Sequence, residues 1–419
     1  SFSYEDIDYL RGLGIFKEDF LSYLAGFHFS GDIYAIPEGS VVFPKEPLVK
    51  VIAPIMEAQL VETAILNIIN HQSLIATKAA RVCYAAKGDG IMEFGLRRAQ
   101  GPDAGIYGAR AAVIAGCVGT SNVLTGQMFG VPVKGTHAHS WIMSFPDEYT
   151  AFKTYADLYP DACILLVDTY DTLRSGVPNA IRVFKEMREK GIDLKGYGIR
   201  LDSGDLAYLT KKARKMLDDA GFEDAIISAS SDLDEYLIDS LKTQGAAITS
   251  WGVGTNLITS KDNPAFGGVY KLAAVMGDDG TFIPKIKLSE NSEKITNPGN
   301  KKILRIYDKA SGKIKADLIT LEDEVFTEDQ PLTLFDPLAT WKKKRIYNFE
   351  ARELLVPVFL HGKRVYDSPS LPEIREYCRQ QIDTLWDEVK RFDYPHKYYV
   401  DLSDKLWDIQ QHLLRSSQE

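Results

Sequence analysis

The chain has only four cysteines in 419 residues, Cys83, Cys117, Cys163 and Cys378, and no two of them form a C-x-x-C pair. That scarcity argues against a disulfide framework or a zinc knuckle, and the apolar settings of Cys83, Cys117 and Cys163 suggest buried free thiols in a reducing compartment. No apolar run reaches the roughly 18 residues a membrane span needs. There is no internal repeat and no low-complexity tract. The opening Ser1-Phe2-Ser3-Tyr4-Glu5 lacks an initiator methionine and a signal-peptide pattern, so the sequence reads as if it begins mid-stream. Positive charge is also short: 49 Lys and Arg stand against 58 Asp and Glu, a net charge of −9. This argues against nucleic acid as the main partner, because the phosphate backbone calls for a broad basic surface. These absences predict a soluble, cytoplasmic protein with no membrane or nucleic-acid partner.

The length predicts two or three domains, and a hydrophobic content of 45% is enough to bury a large core without staples. Small phosphorylated ligands remain open to an acidic chain, since a few local cations or backbone amides suffice for them. Such a chain must then gather its cations in one place.

Residues 1–84 mix short helical and β-rich pieces with a long helix over about 57–81. From residue 85 to 275 a short apolar run, a polar or glycine-rich loop and a helix recur. The runs are 91–95, 131–134, 163–167, 197–201, 225–228 and 247–251, and the chemically rich residues follow each of them. Strands alternating with helices indicate parallel βα units. Chemistry spread over about six strand ends favours an irregular, funnel-like βα barrel over an open doubly wound sheet. Residues 276–419 turn β-rich, with a hairpin turn at Gly277-Asp278-Asp279-Gly280 and two amphipathic helices near the end. With the N-terminal part they form a second, α+β domain built from both terminal regions.

Gly135-Thr136-His137-Ala138-His139-Ser140 puts two histidines at i and i+2, on one side if the segment is extended. They could be hydrogen-bonded structural residues, a metal pair (although no third and fourth ligand is evident nearby) or acid–base and nucleophilic groups. Gly252-Val253-Gly254-Thr255 could cradle a phosphate or merely close a turn, and it fits neither the Walker A pattern nor the dinucleotide fingerprint. Arg97, Arg98 and Arg200 stand at strand ends, where an arginine needs an anionic partner or a core carboxylate. Asp205 reads as a helix N-cap, whereas Asp168 and Asp202 are better placed for ribose hydroxyls or a magnesium-bound water.

Taken in order, Glu93-Phe94-Gly95-Leu96-Arg97-Arg98, the Gly135–Ser140 segment, Arg200-Leu201-Asp202-Ser203-Gly204-Asp205 and Gly252-Val253-Gly254-Thr255 resemble the nicotinate phosphoribosyltransferase family. The resemblance implies an α/β barrel beside a second domain, with active sites completed across a homodimer. It implies nicotinate, phosphoribosyl pyrophosphate and ATP as substrates, with magnesium carried in by them and no metal held by the protein itself. The family's phosphorylated histidine falls on His139. Arg200 falls on the arginine that meets the pyridine carboxylate, Thr136 on a nicotinate-contacting threonine, Thr255 on a phosphoribosyl-binding threonine, and Arg97 on an arginine bound to anionic substrate. His139, Arg200 and Asp202 are the expected catalytic group. Asp168, Ser230, Ser231, Gly252 and Gly254 join Arg97, Thr136 and Thr255 as expected substrate contacts. The family's N-terminal aspartate–leucine–tyrosine segment, whose tyrosine stacks on the pyridine ring, is not found in the N-terminal part of this sequence. Two rival readings are an enzyme of the same barrel that takes nicotinamide, and an inactive barrel serving as a binding subunit.

Overall fold

The computed structural model describes residues 2–289 and 295–416. The chain forms two compact units. One comprises residues 67–268 and 370–379, the other residues 1–66, 269–369 and 380–419. Among the described residues no helix is long and apolar enough to cross a membrane.

The first unit is built on a six-stranded sheet. Its strands run in the order Gly119–Thr120, Gly90–Glu93, Ser250–Val253, Ile226–Ala229, Gly198–Leu201 and Ile164–Leu166, all parallel. Helices Pro102–Ile114, Val177–Glu189, Leu206–Asp219 and Glu235–Thr243 fill the connections. Their starts are set by side chains that accept otherwise unpaired N–H groups: Asp205 accepts from Tyr208, and Asp234 from Leu237. Successive side chains along a strand alternate between faces. One face carries Ile91, Trp251, Ile227, Ile199 and Leu165, all at 1% exposure or less, as a face packed by helices requires. The other carries Gly90, Arg200, Ser228 and Ser250 among Met92, Ile164, Leu166 and Ile226, and, beyond the strand ends, aspartates.

One expectation needs correction and another is met in part. The predicted strand at 131–134 is reduced to a single bridge between Val133 and Thr120, and the strand at that position is Gly119–Thr120. Pro132 has no N–H to give a ladder, although its carbonyl accepts from Thr120 and the Lys134 N–H donates back to the Thr120 carbonyl. The expected irregular βα barrel is met in its α/β class and parallel βα order. Among the described residues no ladder joins Gly119–Thr120 to Ile164–Leu166, so the hydrogen-bonded sheet is open. On the open side, the Leu166 N–H is accepted by the His137 ring at 3.4 Å, where a further strand would offer a carbonyl.

The second unit holds two four-stranded sheets. In one, Val356–Leu360 and Val49–Ile52 flank Asp32–Ala35 in antiparallel order. In the other, Lys301–Asp308 and Ile314–Leu321 form the centre, with Val400–Leu402 added in parallel. The turn expected at 277–280 joins Ala274–Met276 to Phe282–Pro284, with Gly280 at φ +80°. The late helices are shorter than the periodicity suggested, Leu371–Asp383 and Asp404–Ser416.

A buried charge cluster ties the second unit together. Arg305 is fully buried and donates from Nε and Nη2 to Asp317 at 2.9 and 2.7 Å, and from Nη1 to the Val41 carbonyl. The Tyr398 hydroxyl donates to Asp317 at 3.0 Å, and Glu46 lies 3.6 Å from Arg305. Burial, with the Asp317 carboxylate beside it, pushes the Glu46 carboxyl from 4.5 up to about 10. Such a carboxyl contributes stability that is full below its unfolded value and is lost as the pH climbs from 4.5 toward 10. Glu46→Gln should therefore raise the melting temperature more at pH 8 than at pH 5. A gain that is equal at both pH values, or larger at pH 5, would show that Glu46 is ionised in the fold.

Candidate active site

The polar face of the parallel sheet carries the candidate site on two levels. The register pairs Leu166 with Arg200, Arg200 with Ser228 and Ser228 with Ser250, which sets the lower level. Two residues further on, toward the strand C-termini, come Asp168, Asp202, Ser230 and Gly252.

On the upper level the Asp168 side chain is 2% exposed. Its Oδ2 accepts from the Asp202 N–H at 2.8 Å and the Ser203 hydroxyl at 2.7 Å. Its Oδ1 has no hydrogen-bond partner and lies 3.9 Å from His139 Nε2. Asp202 Oδ2 lies 3.7 Å from the same nitrogen, and Asp202 Oδ1 accepts from the Ser230 hydroxyl. His139 Nδ1 meets the Thr169 hydroxyl at 3.0 Å. The imidazole, about a third exposed, thus has one ring nitrogen turned to two carboxylates and the other held by a hydroxyl. A ring held in this way has one nitrogen available for protonation and the other for bonding.

Arg200 stands beneath that level with its side chain 13% exposed. Its Nη2 donates to the His137 carbonyl at 2.6 Å, and its Nη1 donates to Ser230 Oγ at 3.0 Å and lies 3.7 Å from Asp202. Its Nε is buried without a partner. Burial lowers the guanidinium from its ordinary pKa, and the Asp202 and Asp168 charges oppose that shift. Thr136 donates to the same His137 carbonyl at 3.3 Å, so Thr136, Arg200 and the His137 backbone converge.

The two histidines do not share one side. Ala138 between them is extended, at φ −104° and ψ 169°, and His139 begins the short helix His139–Met143, but the two rings meet different groups. The His137 ring is buried, 4.5 Å from the Tyr155 ring centroid, and accepts the Leu166 N–H. Burial, together with the Arg200 charge, pushes it down to about 4.

Gly252 comes into the same neighbourhood. A Cβ there would lie 2.7 Å from the Phe94 ring and 3.6 Å from Ser230 Cβ, so only glycine lets that ring lie against the strand. At Gly254 a Cβ would approach the Phe94 carbonyl to 3.2 Å, and Thr255 opens the short helix Thr255–Ile258. Ser231 is exposed, at φ +130°. Arg97 lies in the turn Leu96–Arg98 packed beside Thr255–Ile258; it is exposed and makes no side-chain hydrogen bond or ion pair among the described residues. The structure thus joins His139, Asp168, Asp202, Arg200, Thr136, Ser230 and Gly252 through direct contacts, whereas Arg97, Ser231 and Thr255 stand outside that chain of contacts.

Sequence reasoning did not single out three residues of this region. Thr169 holds His139, and its signal was its position just after Asp168 at a strand end. Phe94 is the aromatic wall. Glu93 is fully buried, its carboxylate accepting from the Gly95 N–H and from the Thr120 hydroxyl at 2.6 Å, which braces the Phe94 loop; burial raises its pKa.

Residues 90–297 match the model described as the nicotinate phosphoribosyltransferase (NAPRTase) family. Residues 1–70 match its N-terminal domain and residues 300–410 its C-terminal domain. The chain is 50% identical over 406 residues to the nicotinate phosphoribosyltransferase of Bacillus subtilis (strain 168), covering 97% of this chain and 82% of that protein. It is 33% identical to the Homo sapiens protein of that name, over 89% of this chain and 78% of the other. Among solved structures it is similar to human nicotinic acid phosphoribosyltransferase, with a TM-score of 0.83, 28% identity and coverage of 99% and 89%. It is also similar to a nicotinate-nucleotide pyrophosphorylase from Pyrococcus furiosus, with a TM-score of 0.67, 25% identity and coverage of 85% and 82%.

The burial of His137 should be visible in its titration. A histidine with a depressed folded pKa contributes stability above its ordinary value of 6.5, and that stability is lost as the pH falls from 6.5 toward about 4. In an NMR titration the His137 ring signals should stay flat down to pH 5. A His137 midpoint near 6.5 would contradict the burial and the ring's acceptor role.

Proposed function

The chain belongs to the nicotinate phosphoribosyltransferase family, and on that premise we propose that it joins nicotinate to the ribose 5-phosphate of phosphoribosyl pyrophosphate in NAD salvage. The products are nicotinate mononucleotide and pyrophosphate. The pyridine nitrogen forms the bond to ribose C1 as the C1–oxygen bond to pyrophosphate breaks. Positive charge develops on the ribose in that step, as in glycoside cleavage. Catalysis therefore rests on aligning the nucleophile, holding the ribose and stabilising the departing pyrophosphate.

The observation that carries this reading is a buried, hydrogen-bonded Arg200 linked through Ser230 and Asp202 to a carboxylate-flanked His139. A buried guanidinium with Nε unpartnered suits the carboxylate of nicotinate, and charge-assisted bonds are roughly twice as strong as neutral ones. The Phe94 ring offers an apolar surface for the pyridine, with Thr136 near the carboxylate end. Asp168 and Asp202 serve the ribose hydroxyls or magnesium-bound water, and Ser230 and Ser231 add donors. The amides of Gly252, Gly254 and Thr255 hold the 5-phosphate. Arg97, free of protein partners, meets the pyrophosphate together with substrate-borne magnesium. ATP transfers its γ-phosphoryl group to His139, releasing ADP, and water later discharges the phosphohistidine as phosphate. We read the sheet as an irregular barrel whose seam is spanned by residues 131–137, and the assembly as a homodimer with shared active sites. The positive charge and the unused Nε donor of Arg200 favour an acid over nicotinamide.

Incubation with γ-labelled ATP should give an acid-labile, base-stable protein label that is lost in His139→Ala and kept in His137→Gln. Arg200→Ala should raise the KM for nicotinate about 10- to 100-fold, as loss of a charge-assisted hydrogen bond implies, and leave that for phosphoribosyl pyrophosphate nearly unchanged. Label retained in His139→Ala, or equal KM losses for both substrates, would contradict these assignments.

A further inference from the structure

Below the level of His139 the sheet carries a polar group that the proposed reaction does not yet use. Ser228 lies in the middle of a core strand at 3% exposure, and its hydroxyl is buried without a hydrogen-bond partner among the described residues. Leaving such a group unsatisfied costs about 1–3 kcal/mol. Alanine would fill the same backbone position without that cost, so packing alone does not account for serine here.

Its neighbours indicate what the hydroxyl faces. The register sets Ser228 beside Arg200 on one strand and beside Ser250 on the other, and Ser250 beside Gly90. All four therefore share the polar face, and three of them are small. The Arg200 side chain starts level with Ser228 and reaches Ser230 with Nη1, two residues further toward the strand end and about 6.6 Å along it. Its guanidinium thus leans upward. Nε, attached on the backbone side of that group, lies on the Ser228 side of Nη1. Arg200 Nε and Ser228 Oγ are both buried without a hydrogen-bond partner among the described residues, and they belong to residues paired in register on the same face.

From this juxtaposition we infer that Ser228 is a further substrate-positioning residue, its hydroxyl donating to one carboxylate oxygen of the pyridine acid while Arg200 Nε serves the other. The inference rests on the reading of Arg200 as the carboxylate anchor. A single guanidinium edge leaves the acid free to swing in its plane. A second donor, on the adjacent strand, fixes that swing and so sets the direction of the ring nitrogen, which is the nucleophile. A misdirected ring loses rate as well as affinity.

The test compares Ser228→Ala, Ser228→Thr and Arg200→Ala in steady-state kinetics, with the melting temperature of each variant. Ser228→Ala should raise the KM for nicotinate about tenfold, the size of a lost hydrogen bond to a charged group, with a lower kcat and an unchanged KM for phosphoribosyl pyrophosphate. Its melting temperature should equal or exceed that of the parent, because an unsatisfied hydroxyl has been removed. Ser228→Thr, which keeps the hydroxyl, should recover most of the lost affinity. An unchanged nicotinate KM in Ser228→Ala alongside a large rise in Arg200→Ala would overturn the role of Ser228 alone. Unchanged values in both would overturn the anchor itself. A lower melting temperature with equal kinetic losses for both substrates would mean that Ser228 serves only the strand.

Discussion

Arg200 is a cation buried in a chain of net charge −9, and the candidate site is organised around keeping it there. A buried guanidinium needs acceptors and nearby negative charge to offset its lost hydration. Arg200 has both. The His137 carbonyl and Ser230 accept from it, and Asp202 and Asp168 lie on the level above. Each tie also fixes something else. The bond to the His137 carbonyl holds the segment that delivers His139, and the bond to Ser230 leads through Asp202 to the other side of the same histidine. Arg200 and His139 are therefore mechanically joined.

The sheet makes this arrangement possible by dividing its two faces. Trp251, Ile227, Ile199 and Leu165 turn to one side and are buried there, so the opposite side is free to carry Gly90, Ser250, Ser228 and Arg200. In a sheet covered by helices on both faces those positions would be aliphatic. At the open edge the Leu166 N–H, which a further strand would have paired, is taken by the His137 ring. That role asks for a neutral imidazole with a free lone pair, and burial beside Arg200 keeps the ring in that form. The histidine that does not face the carboxylates thus contributes at the seam.

Much of this was legible in the residues. The βα rhythm, the gathering of chemistry at strand ends, the Asp205 cap and the turn at 277–280 all follow from local rules that the tertiary structure does not override. Other features were hidden for physical reasons. Gly119–Thr120 is too short to show a period, while Val131-Pro132-Val133 looks like a strand and is denied a ladder by its proline. The parting of His137 and His139 lies in their tertiary partners, Tyr155 and the Leu166 N–H for one and Thr169 and two carboxylates for the other, which no local signal announces. Thr169 and Ser228 look like ordinary hydroxyl residues until register sets them beside His139 and Arg200.

The most direct test of the account is a crystal structure of the protein with nicotinate bound. The account predicts the carboxylate within hydrogen-bonding distance of Arg200, the ring against Phe94, and the ring nitrogen turned toward the level of His139, Asp168 and Asp202. A nicotinate bound away from Arg200, or an Arg200 that holds a phosphate while the acid lies elsewhere, would contradict it.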